Sequence, residues 1–400
     1  MPDTDWGTCY RRGMTASPRV AITLVFMAFG VISGLWSGSV PTVARRVGLD
    51  AYQLGFAFTI LLIASVSAQT LAGRLARRIS SRGVLLVTVP AMAVFGISIL
   101  ASSSVPTFFT ALVGYGVAQG MTDVFMNAEG SAVEAELGRR IFTGLHGGVS
   151  ASGALFAIVG SLLATGFGPV SAAPIVLVAG AAATWAVARA IRHRSIAPPR
   201  PASATAIGAW VAWPLVALGL AIGFENAGEM AALMWSARLL DEAAPSLAAF
   251  AGLGPAFYSA CSALVRLNGD RLRSIFGDGP LVAGSLLVAT AGFIGVGAFS
   301  GFAARVVAFA VVGFGTACVI PCMFAIAANS DPEARARRLG FVAMVAGPPR
   351  VLTPILFGSV AQTASMGAAF GLCGVLMLVA LAMFVISQTI ARPVVSASTS

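Results

Sequence analysis

An all-α membrane protein with 12 transmembrane helices in two six-helix halves is the fold class this sequence predicts, and three observations carry the prediction. The first is composition: 58% of the 400 residues are hydrophobic and 10% are charged, with a mean hydropathy of +0.89. Soluble domains carry about 25% charged residues, and a soluble fold could not hide so much apolar surface. The second is a series of apolar blocks, each near the ~20 residues that span a hydrocarbon core as a helix. The third is the placement of the arginines.

The blocks cover residues 20–40, 54–73, 83–102, 107–128, 142–165, 172–191, 210–234, 247–267, 279–299, 303–327, 339–361 and 367–388. Helix is the expected conformation, because backbone polar groups in lipid must find partners within their own segment. The first block follows Arg11, Arg12 and Arg19, like the basic start of a signal peptide. Its apolar stretch is too long for one and further blocks follow, so it is expected to stay as an anchor. The seventh block is bracketed by Trp210 and Trp213 at one end and Trp235 at the other. Its length of roughly 37 Å matches the separation of the two interfacial belts where tryptophan prefers to sit.

The chain has no lysine, so all 25 basic residues are arginines, and the net charge is +10. In a soluble protein that charge would suggest nucleic acid or an acidic partner, but the arginines alternate between loops instead of forming one patch. With the N-terminus inside, the cytoplasmic set is Arg11, Arg12, Arg19, Arg74, Arg77, Arg78, Arg82, Arg139, Arg140, Arg189, Arg192, Arg194, Arg200, Arg266, Arg271, Arg273, Arg335, Arg337, Arg338 and Arg392. Outside fall Arg45, Arg46, Arg238 and Arg305, and Arg350 lies within a block. The positive-inside rule therefore places both termini in the cytoplasm. Nucleic acid is not an expected partner; the lipid bilayer is.

Between the sixth and seventh blocks, the basic, Pro-rich and Ser-rich stretch RAIRHRSIAPPRPASATAIG cannot span lipid and reads as a cytoplasmic linker. It sets the halves at 1–191 and 210–400, with 192–209 between them. The halves repeat: GRLARRISSRG after the second block answers LNGDRLRSIFG after the eighth, as in parallel six-helix repeats. Cys9, Cys261, Cys318, Cys322 and Cys373 show no paired framework, and with His146 and His193 they form no metal-ligand spacing. No disulfide, metal or cofactor is expected. No Walker-type phosphate loop and no nucleophile–base pair is visible, so neither ATP-driven transport nor an enzyme is expected.

On these residues the chain resembles the major facilitator superfamily, whose loop between helices two and three has the pattern Gly-x-Leu-Ala-Asp-Arg-x-Gly-x-Arg. Gly73, Leu75, Ala76, Arg78 and Arg82 match it, and Arg77 stands where the family has aspartate. The resemblance implies that this acid holds a neighbouring helix end and latches one access state; here only the second half keeps it, as Asp270 beside Arg271. Gly73, Arg77, Arg78, Asp270 and Arg271 are thus the expected conformational loops.

Within the superfamily the chain is similar to the bacterial branch that contains the rhizopine-associated membrane protein. The matching stretches are DVFMNAEGSAVEAELGRRIFTGLHGG from Asp123 to Gly148, Glu229 with Trp235 and Ser236, and Gly347-Pro348-Pro349. Met234 replaces an acid usual before that tryptophan, and Gly116 replaces an arginine often found three residues before the Gln119-Gly120 pair. The resemblance implies transport by alternating access, with an amino-cyclitol as a candidate solute.

Charged groups inside a membrane cost several kcal/mol, so each is a functional hypothesis with a partner to name. Gln119, Asp123 and Asn127 recur every fourth residue with Tyr115 one turn earlier, a stripe that lines a central cavity or bonds to neighbouring helices. His146, about one turn into the fifth helix, could relay protons with Asp123 or simply be a satisfied hydrogen-bonding residue. Glu225 and Glu229 share a face of the seventh helix, Glu225 being deeper and Glu229 serving in binding or as an interfacial cap. Arg350 follows a double proline that frees carbonyls, and as a permanent cation it needs a counter-ion, water or an anionic ligand. An ion pair with Glu225 is the preferred expectation, and a fixed gluing role is the alternative. Gly144, Gly147, Gly148 and Gly153 are expected to let the fifth helix rock closely against its neighbours.

The expected function is a secondary transporter moving a small polar organic solute, a cyclitol or amino-cyclitol among them, across the inner membrane. It would act as a monomer and be coupled to an ion gradient, with protons as the candidate ion. Export of drugs or metabolites is one alternative, and a transport-inactive sensor or scaffold is the other.

Overall fold

A computed structural model describes residues 17–75, 79–138, 141–191, 209–330 and 335–390. The linker at 192–208, Arg77 and Arg78, Cys9 and His193, and the arginines at 11, 12, 139, 140, 192, 194, 200 and 392 lie outside them. The described residues are helical, and no strand occurs among them.

The first half contains α1 (Pro18–Val47), α2 (Ala51–Leu75), α3 (Ser81–Ala101), α4 (Val105–Leu137), α5 (Phe142–Phe167) and α6 (Ala173–Ala190). The second contains α7 (Ala209–Ala243), α8 (Leu253–Leu267), the short α9 (Gly269–Phe276), α10 (Asp278–Ala298), α11 (Phe302–Thr316), α12 (Val319–Asn329), α13 (Arg335–Thr363) and α14 (Met366–Ile390). Since α11 and α12 together form one span and α9 lies between spans, the described residues hold the 12 expected crossings. Eleven of these are long and apolar enough by composition alone. The remaining one, α4, carries Asp123, Glu129, Glu134 and Glu136.

Local chemistry sets the boundaries. Ser17 caps α1, its hydroxyl accepting from Val20 N at 3.3 Å, with Pro18 in the first turn. Gly48 ends the helix in the left-handed region at φ 81°, which a residue without Cβ adopts freely. The carboxylate of Glu134, near the end of α4, accepts from Ile141 N and Phe142 N at 2.7 Å each and so caps the start of α5. Several helices outrun their apolar blocks: α1 reaches 47 instead of 40, α4 reaches 137 instead of 128, and α7 reaches 243 instead of 234. Hydropathy sees the part of a helix that lies in hydrocarbon; the polar turns beyond it keep the same backbone bonds.

The tenth span is not one helix. It breaks between Thr316 and Val319 because Pro321 has no N–H to give the carbonyl four residues back, that of Ala317.

Each half packs as a bundle, and the halves meet along α2–α13, α5–α8 and α1–α7. Those contacts gather at the end that carries the α1–α2 connection. There Gln362 Oε1 accepts from Ala51 N at 3.1 Å, Ser37 Oγ donates to Leu233 O at 2.9 Å, and Ser161 Oγ donates to Ala249 O at 2.7 Å. A chain of rings, Trp36–Phe58–Trp235–Phe357, crosses the seam with centroids 5.9, 5.4 and 4.9 Å apart. Trp235 is fully buried in it and not at a lipid interface, a correction to the belt expectation; its partners come from both halves. Trp213 is exposed. At the outermost turn Arg45 forms an ion pair with Asp241, joining α1 to α7.

Arg45 is half-exposed, so the pair contributes only about 0–1 kcal/mol to stability. That suffices to bias two states of similar free energy. Arg45→Ala is expected to leave folding intact while raising labelling of a Ser37→Cys probe from the α1–α2 side roughly two- to fivefold. The measurement is impermeant thiol reagent added to a variant otherwise free of cysteine.

The close approach of α1 to α5 rests on three glycines of α1 and on Gly160 of α5, not on the four α5 glycines expected from the sequence. A Cβ at Gly30, Gly34 or Gly38 would strike the carbonyl oxygens of Val149, Gly153 and Ala157 respectively. At Gly144 there is open space, and at Gly147, Gly148 and Gly153 only ordinary contact.

Candidate functional site

A cavity of about 360 Å³ lies between the halves, lined by α1, α2, α4 and α5 from one and α7, α8 and α13 from the other. Its charged side chains are Asp123, Glu229, Arg266 and Arg350, with Gln69, Gln119 and His146 among the polar ones. The seam described above closes it at the α1–α2 end. Toward the α2–α3 end it is open, with His146 exposed and the Arg266 side chain 38% exposed.

From the α4 stripe, Gln119 and Asp123 reach the cavity. Asn127 instead bridges: its Nδ2 donates to Asp123 Oδ1 at 3.0 Å, and its Oδ1 lies 2.9 Å from His146 Nε2. An amide oxygen only accepts, so in this arrangement the proton on His146 sits at Nε2. Gln69 Nε2 adds a 3.3 Å bond to Asp123 Oδ2. The histidine and aspartate of the expected relay therefore do not touch; an amide stands between them. Tyr115 leaves the stripe, buried against Trp36 with its hydroxyl 3.1 Å from that of Ser33.

In α7, four residues advance a helix by about 400°, so Glu225 and Glu229 point ~40° apart. That rotation separates them. Glu229 enters the cavity and accepts from Arg266 Nη2 at 2.8 Å. Glu225 is fully buried beside the cavity, with neither carboxylate oxygen hydrogen-bonded. The Glu225–Arg350 ion pair is not formed: the charged neighbours of Glu225 are Glu229 and Arg266, whereas those of Arg350 are Asp123 and Glu229. Nor does Arg350 take up the carbonyls its prolines free. Its Nε is buried without an acceptor, and α13 runs unbroken through Pro348, Pro349 and Pro354.

Sequence reasoning missed Gln69. Arg266 is the charged residue that it missed, having counted it with the loop arginines. It ends α8 inside the cavity, where Nη2 meets Glu229 and Nε donates to Ala317 O at 3.2 Å. That carbonyl is the one released by Pro321. The available signal was position, because 266 falls within the eighth apolar block.

The expected conformational loops are partly described. Gly73 is exposed with open space around it. Asp270 is 91% exposed in the first turn of α9, and the cation nearest it is Arg273 at 3.9 Å, which pairs instead with Asp278 at 2.7 Å. Asp270 thus latches no neighbouring span in this conformation, and Arg271 is exposed beside it. Gly116 has a spatial reason for replacing arginine. A Cβ there would lie 2.6 Å from Leu61 O, so α4 rests directly on α2 with no room for a long side chain.

No family model matches this sequence. An uncharacterised MFS-type transporter of Yersinia pestis is 28% identical over 370 residues, which covers 90% of this chain and 94% of that protein. Membrane protein MosC of Rhizobium meliloti is 25% identical over 364 residues, 89% of this chain and 88% of that one. The chain is thus similar over most of its length to transporters of the major facilitator type. The solved nucleoside transporter NupG, as a mutant, superposes with a TM-score of 0.75 at 13% identity, over 93% of this chain and all of that one. A bacterial homologue of the human lysosomal transporter Spinster, solved inward-facing and occupied, gives 0.72 at 13% identity over 92% and 96% of the two chains. The major-facilitator fold and a multi-pass inner-membrane location follow.

Proposed function

We propose that this protein is a secondary active transporter that carries a small polar organic solute by alternating access, acting as a monomer and driven by a proton gradient. The observation that carries the reading is the central cavity: it holds Asp123, the Glu229–Arg266 pair and Arg350 between two halves, sealed at one end and open at the other. Charged groups kept within the membrane region are costly and belong to pathways. The volume, at the small end of the ~300–1,000 Å³ usual for ligand sites, suits a solute the size of a cyclitol or amino-cyclitol. The arginine distribution supports placing the open α2–α3 end, and both termini, in the cytoplasm.

In this inward-open state solute reaches Asp123 and Arg350 from the cytoplasmic side. Closing that end and parting the Arg45–Asp241 seam would present the same site to the other face. Glu225 is where a coupling proton would reside. A bare carboxylate buried without a donor carries a desolvation cost of several kcal/mol, which a bound proton removes.

Reconstituted into proteoliposomes, the protein is expected to accumulate labelled myo-inositol or an inosamine when a pH gradient is imposed. Asp123→Asn should lower uptake at least about tenfold. Glu225→Gln, matching the neutral form, should exchange solute across the membrane without responding to the gradient. Equal, background uptake by the folded wild type and Asp123→Asn across these solutes would refute a cyclitol as the solute.

A further inference from the structure

The cavity contains two opposite charges that do not meet. Of its four charged side chains, Glu229 and Arg266 neutralise each other at 2.8 Å. Asp123 is bonded only to the neutral amides of Gln69 and Asn127. Arg350 has a buried Nε with no acceptor. Asp123 belongs to the first half and Arg350 to the second, and each acts electrostatically on the other across the space between them.

Neutral partners cannot settle this imbalance. Arginine keeps its charge at any physiological pH and offers five donors in a planar fork suited to a carboxylate. Other arginines of the spans have found acceptors: Arg266 on Glu229 and Ala317, Arg46 on Ser102 and Leu100, Arg45 on Asp241, and Arg238 on Glu242, although one nitrogen of Arg238 is also buried without a partner. A hydroxylated solute would give Arg350 a hydrogen bond but no counter-charge. Amide donors likewise give Asp123 hydrogen bonds but no cation. The four lining charges sum to zero, so a solute with a net charge would leave one of them uncompensated.

We propose that Asp123 and Arg350 form a two-point site for a zwitterion, a small solute whose carboxylate docks on Arg350 while its ammonium group docks on Asp123. The inference rests on the transporter reading above and narrows its solute class. It also gives the solute a mechanical role, since a molecule held by α4 at one end and α13 at the other draws the two halves together at the open end.

The test uses the full-length protein in proteoliposomes with matched probes: γ-aminobutyrate and alanine as zwitterions, butylamine lacking the acid, butyrate lacking the amine, and myo-inositol lacking both. At least one zwitterion is expected to be carried, with each single-charge analogue competing at least roughly thirtyfold less well. Arg350→Gln should remove that preference for zwitterion over amine, and Arg350→Lys should retain part of it. The swap of Asp123→Arg with Arg350→Asp leaves a two-point site that a reversed zwitterion can still fill, but it should not restore uptake of uncharged inositol, because the two groups meet the solute and not each other. Transport of inositol with no uptake of either zwitterion would overturn the inference and leave the transporter reading standing. Loss of inositol uptake in each single variant with its restoration by the swap would overturn it in favour of a direct gating pair. No uptake of any probe by the folded protein would remove both.

Discussion

Glu229→Ala should reduce solute uptake by at least about a hundredfold. The carboxylate is the partner of Arg266 Nη2 in a site closed at one end, and its loss leaves a cation facing Arg350 with no negative charge between them except Asp123. Leaving a hydrogen-bonded group unsatisfied costs ~1–3 kcal/mol; the open side of the cavity moderates this, since the Arg266 side chain is 38% exposed. The effect on folding should therefore be modest and the effect on function large. Two positive charges would then hold any ammonium group away and trap any carboxylate. Removing Arg266 as well should recover whatever detergent-stable protein the single variant loses, but not transport. Initial rates in proteoliposomes, beside elution profiles of the same preparations, separate the two effects. Additive losses of stability would show that the pair is not coupled.

Gly38→Val is expected to deplete folded protein from the membrane. A side chain at this position would run into the carbonyl group of Ala157 and the amide of Ser161, with Cβ 2.9 Å from Ala157 C and 3.0 Å from Ser161 N. The obstruction is backbone in a neighbouring helix, so no rotamer relieves it; α1 and α5 must separate. Such overpacking costs about 3 kcal/mol or more, because association in lipid depends on close packing without a hydrophobic drive. Gly73→Val is the control. Open space surrounds that position, and its effect should stay within about 0.5 kcal/mol. Fluorescence-detected gel filtration of tagged variants would show a monodisperse peak for the control and aggregate for Gly38→Val.

The sequence carried most of the architecture because a bilayer simplifies the code. Long apolar runs must be helices, and arginine placement alternates with the loops. It carried the site in part. Gln119, Asp123, Glu229 and Arg350 all reach one cavity, the last three as charges too costly to keep elsewhere would. Who pairs with whom was beyond it. Whether Arg350 faces Asp123 depends on how two halves dock, and a rotation of ~40° along α7 decides whether a carboxylate enters the cavity or the packing. Trp235 failed for a related reason. Its position at the end of an apolar block is the same for a tryptophan in the headgroup belt and for one clamped between Phe58 and Phe357. Nor was the break in the tenth span readable: Pro348, Pro349 and Pro354 remove donors from α13 without breaking it, whereas the tenth span breaks where Pro321 removes one.

That missing donor makes the tenth span and the cavity parts of a single joint. Ala317 presents its carbonyl to Arg266 instead of to its own helix, so any swing of α12 about the break tilts the guanidinium that faces the solute. One oxygen thus ties the broken span directly to a charged group of the site.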